Sequence, residues 1–461
     1  MRKILQGARV VDPQVGLDAV ADIYVRDGRI VAIVVDVDGP ANAEGSDAAG
    51  ASDAAGASDA ADAVGVVGEW AEVERVDLRG KVVLPGLFDM HVHFREPGQE
   101  HKEDILTGSR AAARGGFTGV ATMANTTPVV DNGKLIERQI ERGEEVGLVD
   151  IFPIGAVTKG LEGKELAEMG EMAEAGAVAF SDDGHGIQHG GLMRLALDYA
   201  KVWDRPIITH SQDDAVVGSG VVNEGVVSTR LGLAGWPAQG EVVQILRDVE
   251  LVRLTGGRMH VAHISTAPGV EVVREAKAAG LDVTAEATPH HLFLTEDDIT
   301  TEYETYLKVN PPLRAHADAE ALAQAVVDGT IDVIATDHAP HAAHEKDLEF
   351  ENAPFGMIGL ETSLPAVFTG LVQPGRIGWD RVVELMVARP REILRLAPQK
   401  IEAGAEANLC VFDPEGTTPV DREHLASKSA NSGFWGRVLH GEVWGTMLRG
   451  EFTYREGAVA K

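Results

Sequence analysis

Hydrophobic and polar positions alternate along residues 3–35, with apolar Ile4, Ala8 and Val10 and then Ile23 and Val25 set among polar neighbours. A period of two predicts short antiparallel strands, and Asp27-Gly28 supplies a turn before a further strand at 29–35. From Val82 onward the pattern changes: apolar runs of strand length alternate with runs of helical period, the βαβα arrangement that builds a parallel sheet covered by helices. The predicted strands are 86–93, 118–123, 149–158, 177–181, 206–210, 258–263, 281–286 and 331–336, enough to close a barrel. Residues 407–412 and 443–449 return to a strand pattern after the last helix and are expected to pair with the N-terminal strands. The predicted fold is α/β: a (β/α)8 TIM-type barrel over 81–395, with a small β-sandwich domain shared between residues 1–80 and 396–461.

One stretch fits neither pattern. Residues 38–68 carry a six-residue repeat of Ala, Gly, Ser and Asp with no aromatic side chain to bury. Glycines at 45, 50 and 56 would each cost a helix about 1 kcal/mol relative to alanine, so the segment is expected to be a disordered surface insertion without a catalytic role.

Composition adds limits. The 461 residues exceed the roughly 250 at which one core stops growing, which suits a large domain plus a smaller one. No run approaches the ~18 apolar residues of a bilayer span, and the N-terminus lacks a secretion-signal pattern, so a soluble cytoplasmic protein is expected. Cys410 is the only cysteine, which excludes an internal disulfide and a Cys-based zinc site. A formal net charge of −31 argues against nucleic acid and anionic lipid as partners, and an anionic substrate would need a local cation.

The chemistry-bearing residues gather at the predicted strand ends. His91 and His93 lie two apart on the first strand and share a face, so both imidazoles can reach one ion. The fourth strand ends in Asp182-Asp183, the fifth in His210, the sixth in His263 and the eighth in Asp337. C-terminal strand ends carry the site in such barrels, so four histidines and two carboxylates are expected to converge. That donor set suits zinc better than magnesium or calcium, and two zinc ions share six ligands comfortably.

The runs Asp89-Met90-His91-Val92-His93-Phe94-Arg95-Glu96-Pro97 and Ala335-Thr336-Asp337-His338-Ala339-Pro340-His341 with Lys346 closely resemble the signatures of the dihydroorotases of the amidohydrolase superfamily. Residues 123–128, 308–314 and 354–356 match as well, and the resemblance covers the chain apart from the repeat. It implies that His91 and His93 hold one zinc, that His210 and His263 hold the other, and that an acidic residue bridges them. Asp337 is implied as a ligand and as the catalytic acid/base. Many relatives bridge with a carboxylated lysine, but no lysine stands at 177–184, which is similar to the bacterial subclass that uses Asp. Pattern alone leaves Asp182 and Asp183 both open as the bridge, although the spacing to His210 in that subclass favours Asp183. Two zinc ions per subunit are expected, and one is possible.

Dihydroorotate carries a ring carboxylate, and Arg95, two residues past His93 on the same face, is placed to grip it. The resemblance adds Asn125 and His341 around that carboxylate, and Asn310 with the backbone near Phe355 and Gly356 at the ring amides. It implies reversible cyclisation of carbamoyl aspartate in pyrimidine biosynthesis, a homodimer, and aspartate carbamoyltransferase as a possible partner. Residues 308–314 read equally well as a closing loop and as a rigid connection. His101, His185, His189, His260, His316, His338, His344, His424 and His440 have no expected role, while His290 and His291 are placed behind the site or in packing. A hydantoinase, dihydropyrimidinase or allantoinase is the nearest rival, and the absent lysine and present Arg95 argue against it. A catalytically dead scaffold would have lost zinc ligands, and none is lost.

Overall fold

A computed structural model describes residues 2–36 and 73–460; the repeat at 38–68 lies outside the described residues. The N-terminal strands Arg2–Asp12, Leu17–Arg26 and Arg29–Val35 pair antiparallel in sequence. Val82–Pro85 then pairs parallel to the first of these and antiparallel to Leu409–Pro419, which continues through Val438–Leu448 and Glu451–Arg455. Both chain ends therefore build one sheet with its own core of Leu5, Val10, Ile23, Val83, Leu409 and Met447. This sheet extends past the boundary drawn at residue 80, because Val82 to Pro85 are buried on both sides.

Eight parallel strands follow: Leu87–Val92, Phe117–Thr122, Asp150–Pro153, Phe180–Ser181, Ile207–Thr209, Met259–Val261, Val283–Ala287 and Val333–Ile334. Continuous ladders join the first three and the last five. Single parallel bridges close the ring, Gly155 to Phe180 between the third and fourth strands and Val92 to His338 between the eighth and first. Phe88, Met90, Ile154, Ile208, Ala262 and Val333 fill the interior, and the helices pack their apolar faces on the outside. The helix Ile105–Arg114, which follows the first barrel strand, shows why such segments start where they do. Asp104 accepts from the Thr107 amide at 2.8 Å, and Thr107 Oγ1 accepts from the Asp104 amide at 3.1 Å, a reciprocal N-terminal cap.

An aromatic knot joins barrel and small domain. Phe412, on a small-domain strand, meets Phe368 at 5.1 Å and Trp379 at 5.3 Å between ring centroids. Gly441 lets this ring in: its φ is +73°, and a Cβ there would stand 2.2 Å from the ring. Phe412 is fully buried, so Phe412→Ala should lower stability by about 3–5 kcal/mol. A denaturation midpoint measured beside the wild type checks this, and the substrate KM should not change.

Candidate metal centre and substrate pocket

The strand ends bring the proposed ligands together. His91 and His93 leave the first strand, Asp183 follows the fourth, His210 the fifth, His263 the sixth and Asp337 the eighth, and all six are buried. Two three-residue groups, His91–His93–Asp183 and Asp183–His210–His263, have ligand atoms within 4.8 Å of one another and share Asp183. Asp183 Oδ1 lies 3.5 Å from His91 Nε2, 3.5 Å from His263 Nε2 and 3.7 Å from His210 Nδ1, while Oδ2 lies 3.4 Å from His93 Nε2. Asp337 Oδ1 sits on the His91–His93 side, 3.0 Å from His93 Nε2 and 3.5 Å from His91 Nε2. Asp182 points elsewhere: its Oδ1 accepts from the amides of Val157 and Thr158, and its Oδ2 from the Thr158 hydroxyl.

Three of the imidazoles are oriented by an acceptor on the nitrogen that faces away from the cluster. His91 Nδ1 donates to Glu286 at 2.5 Å, His93 Nδ1 to Asn125 Oδ1 at 2.8 Å, and His210 Nε2 to Gln212 Oε1 at 3.0 Å. The opposite nitrogen is thereby left as the lone-pair donor. Arg95, His263 and Asp337 all adopt positive φ, at 60°, 31° and 45°. Such conformations cost non-glycine residues energy and concentrate at functional sites.

The donor set fits a metal. His91 Nε2 and Asp183 Oδ1 are buried atoms without a hydrogen-bond partner, a costly arrangement unless an ion occupies the space between such groups. Electrostatics agree. Burial alone would push the Asp183 carboxyl up, yet the charge on His91 and the facing imidazoles of His210, His263 and His91 hold it well below the ordinary range. Burial opposes charge on His91, but Glu286, Asp183 and Asp337 outweigh it and raise the ring well above its ordinary value. Carboxylates that force a proton onto a buried imidazole favour replacing that proton with a cation. Four imidazoles and two carboxylates are a zinc-type set.

Beside the cluster opens a pocket of about 330 Å³ lined by Arg95, Asn125, Asn310, His341, Phe355 and Gly356 as well as His93, Asp183, His210, His263 and Asp337. Arg95 is 8% exposed; its Nε donates to the Pro340 carbonyl at 3.3 Å. Burial lowers its pKa, and among the described residues no carboxylate forms an ion pair with it. Asn310 Nδ2 donates to Gln212 Oε1 at 3.0 Å, and its buried Oδ1 has no partner. His341 Nε2 donates to the Phe355 carbonyl at 2.8 Å, and burial with Arg95, Lys346 and Lys102 nearby keeps its ring neutral, far below the ordinary value. Residues 308–314 are tied to their surroundings by hydrogen bonds: Lys308 Nζ donates to the Phe350 and Glu351 carbonyls, His291 Nε2 to the Pro311 carbonyl, and Arg314 to Asn223, Trp236 and Ser265.

Sequence reasoning missed four members of the site. Glu286 accepts from His91 Nδ1, His260 Nε2 and the His263 amide; its signal was its place at the end of the predicted seventh strand. His260 has no expected ligand role and is instead the other histidine bound to Glu286. Gln212, two residues past His210, follows the same spacing that singled out Arg95. Asp89 accepts from the amides of His91 and Thr336, tying the first strand to the eighth.

Fold and site define a cyclic amidohydrolase of the metal-dependent barrel class. Over the whole chain the fold is similar to that of the L-hydantoinase (dihydropyrimidinase) of Arthrobacter aurescens, with TM-score 0.82 and 25% identity over 100% of this chain and 97% of that one. A dihydro-orotase-like family model matches residues 80–268. The chain is 46% identical over 459 residues, 100% of both chains, to a dihydroorotase of Pelotomaculum thermopropionicum. It is 43% identical over 453 residues, 98% of both, to a dihydroorotase of Anaeromyxobacter dehalogenans. The chain belongs to the dihydroorotase family.

Asp183→Ala should abolish stoichiometric metal binding, whereas Asp182→Asn should retain it. Glu286→Gln should weaken metal affinity about 10- to 100-fold, the range for groups that orient ligands from behind. Metal content after dialysis against graded chelator concentrations reads all three.

Proposed function

We propose that this chain catalyses the reversible cyclisation of N-carbamoyl-L-aspartate to dihydroorotate and water, in de novo pyrimidine synthesis, with two zinc ions held by His91, His93, Asp183, His210, His263 and Asp337. One observation carries the reading: a buried guanidinium, Arg95, with no carboxylate partner among the described residues, opens into the same small pocket as the shared-carboxylate cluster. It is the local cation that an anionic substrate requires in a chain of net charge −31. The paired three-residue groups around Asp183 support two ions rather than one.

Zinc bound there would lower the pKa of an attacking water and polarise the carbonyl it attacks. The chain's own residues do the rest. Arg95 and Asn125 hold the ring carboxylate, and Asn310, whose buried Oδ1 is unpartnered, accepts from a ring N–H. Burial favours the protonated form of Asp337, but the charge on His91 and the hydrogen bond from His93 lower its pKa. It is therefore a carboxylate at neutral pH and a competent base. In ring opening Asp337 takes the proton of the attacking water and passes it to the leaving ring nitrogen. In ring closure it takes the proton of the attacking ureido nitrogen and returns it to the departing oxygen.

The test is turnover by the zinc-loaded protein: dihydroorotate opening at about pH 8 and carbamoyl aspartate closure at about pH 6, with hydantoin and allantoin as controls. Asp337, held below the ordinary carboxylate range, is already ionised at both pH values, so ring opening should rise with pH through loss of a proton from the attacking water, whereas closure consumes a protonated carboxyl and should be faster at lower pH. Turnover of hydantoin or allantoin in place of dihydroorotate would sink the substrate assignment and leave the metal chemistry. Arg95→Ala should raise the KM for dihydroorotate by about one to two decades, the worth of a charge-assisted hydrogen bond, with a smaller change in kcat.

A further inference from the structure

One buried side chain outside the pocket lining touches the pocket wall in three places. Asn431 is 1% exposed and lies between the small-domain strands Leu409–Pro419 and Val438–Leu448. Its Nδ2 donates to the carbonyls of Ala339 and Gly356, each at 3.1 Å, and its Oδ1 accepts from the His341 amide at 3.1 Å. Its own carbonyl accepts from the Ile358 amide at 3.1 Å. The segment that carries it is anchored on the barrel by two buried carboxylates. Glu103 accepts from the Ser427 hydroxyl and the Lys428 amide, and Glu361 from the amides of Ala426 and Ser427 at 2.8 and 3.0 Å.

This arrangement demands an amide. Two carbonyls need two donors, the His341 N–H needs an acceptor, and a primary amide offers both from one short planar group. Ala339 and His341 follow the eighth barrel strand, while Gly356 lies on the next loop, and all three line the pocket. The bridge adds to the direct backbone bond from the Ala339 amide to the Met357 carbonyl at 2.8 Å, and together they set how far apart two sides of the pocket stand. Gly356 also donates its N–H to the Lys308 carbonyl at 2.9 Å, so both its backbone polar groups are engaged.

We propose that Asn431 is a positioning residue for the substrate: the C-terminal segment of the small domain completes the barrel's active site by fixing the Ala339–His341 turn against Gly356. The inference rests on the dihydroorotase reading of this pocket. Asn431 forms no hydrogen bond or ion pair with the six metal-cluster side chains, so its influence should fall on binding of the ring and leave metal retention alone.

Asn431→Asp keeps the shape and the acceptor but loses both donors and sets a carboxylate oxygen against two carbonyls. The KM for dihydroorotate should rise about tenfold or more, with kcat within about threefold, the pattern of lost ground-state positioning. Zinc content should match wild type, and hydrogen exchange at the Gly356 amide should accelerate. Asn431→Ser, whose single short hydroxyl cannot replace both N–H donors, is measured in parallel in case the Asp variant does not fold. A folded variant with unchanged KM overturns the proposal, as does a joint loss of KM, kcat and zinc. Failure of both variants to fold would make Asn431 a folding residue and would overturn it too. A wild-type protein inactive on dihydroorotate would instead overturn the functional reading, while exchange at Gly356 would still report on the bridge.

Discussion

The buried carboxylate of Asp183 is the constraint on which the rest of the site depends. An ionised carboxyl in a barrel interior is expensive unless it is compensated, and here four imidazoles stand within 3.7 Å of it, a set able to hold a compensating cation in common with it. Those imidazoles must present lone pairs inward, so their outward nitrogens need acceptors, and Glu286, Asn125 and Gln212 are set there. Gln212 Oε1 in turn accepts from Asn310, which carries the constraint from the His/Asp cluster to the pocket beside it. The geometry of one shared oxygen pair thus propagates through two layers of hydrogen bonds.

Much of this architecture was legible in the chain because barrels convert a linear pattern into a place. Each strand is a short apolar run, and its C-terminal end faces one mouth, so finding the runs located His91, His93, Asp183, His210, His263 and Asp337 together. The same logic located Arg95, two residues past a ligand. Pattern could not choose between Asp182 and Asp183, since adjacent residues differ only in which way the chain turns after a two-residue strand. The structure turns Asp182 onto the amides of Val157 and Thr158. Glu286 and Asn431 were hidden for different reasons. Glu286 stands at the end of the predicted seventh strand, but position alone does not show that it faces the back of His91, and Asn431 belongs to a segment whose role exists only after the two chain ends have met in one sheet.

The similarity to an L-hydantoinase at TM-score 0.82 shows why the fold alone does not name the substrate. A hydantoin-type ring carries cyclic amide bonds as dihydroorotate does, but it lacks the ring carboxylate. Discrimination must then come from a group that costs energy when left empty. Arg95 is such a group: burial lowers its pKa, no carboxylate among the described residues pairs with it, and a ligand anion would relieve that penalty. The neutral His341 and the amide of Asn125 beside it add no competing charge.

The wall opposite the cluster is built to hold still. The carbonyls of Pro354, Phe355 and Gly356 are each taken by a different side chain, Lys346 Nζ at 2.7 Å, His341 Nε2 at 2.8 Å and Asn431 Nδ2 at 3.1 Å. Lys346 is almost wholly buried, and desolvation together with the neighbouring Lys308 lowers its ammonium to about 7. It still reaches the carbonyls of Thr305 and Lys308 as well as Pro354. A polar group that is costly to bury is retained where its hydrogen bonds specify one arrangement of the backbone. Three consecutive captured carbonyls leave this loop little freedom to reorder on binding, so a ring of the right size pays less conformational entropy to enter the pocket. Preorganisation of this kind lets a small pocket rely on a single cation and a few amides for recognition while the cluster around Asp183 is kept for the chemistry.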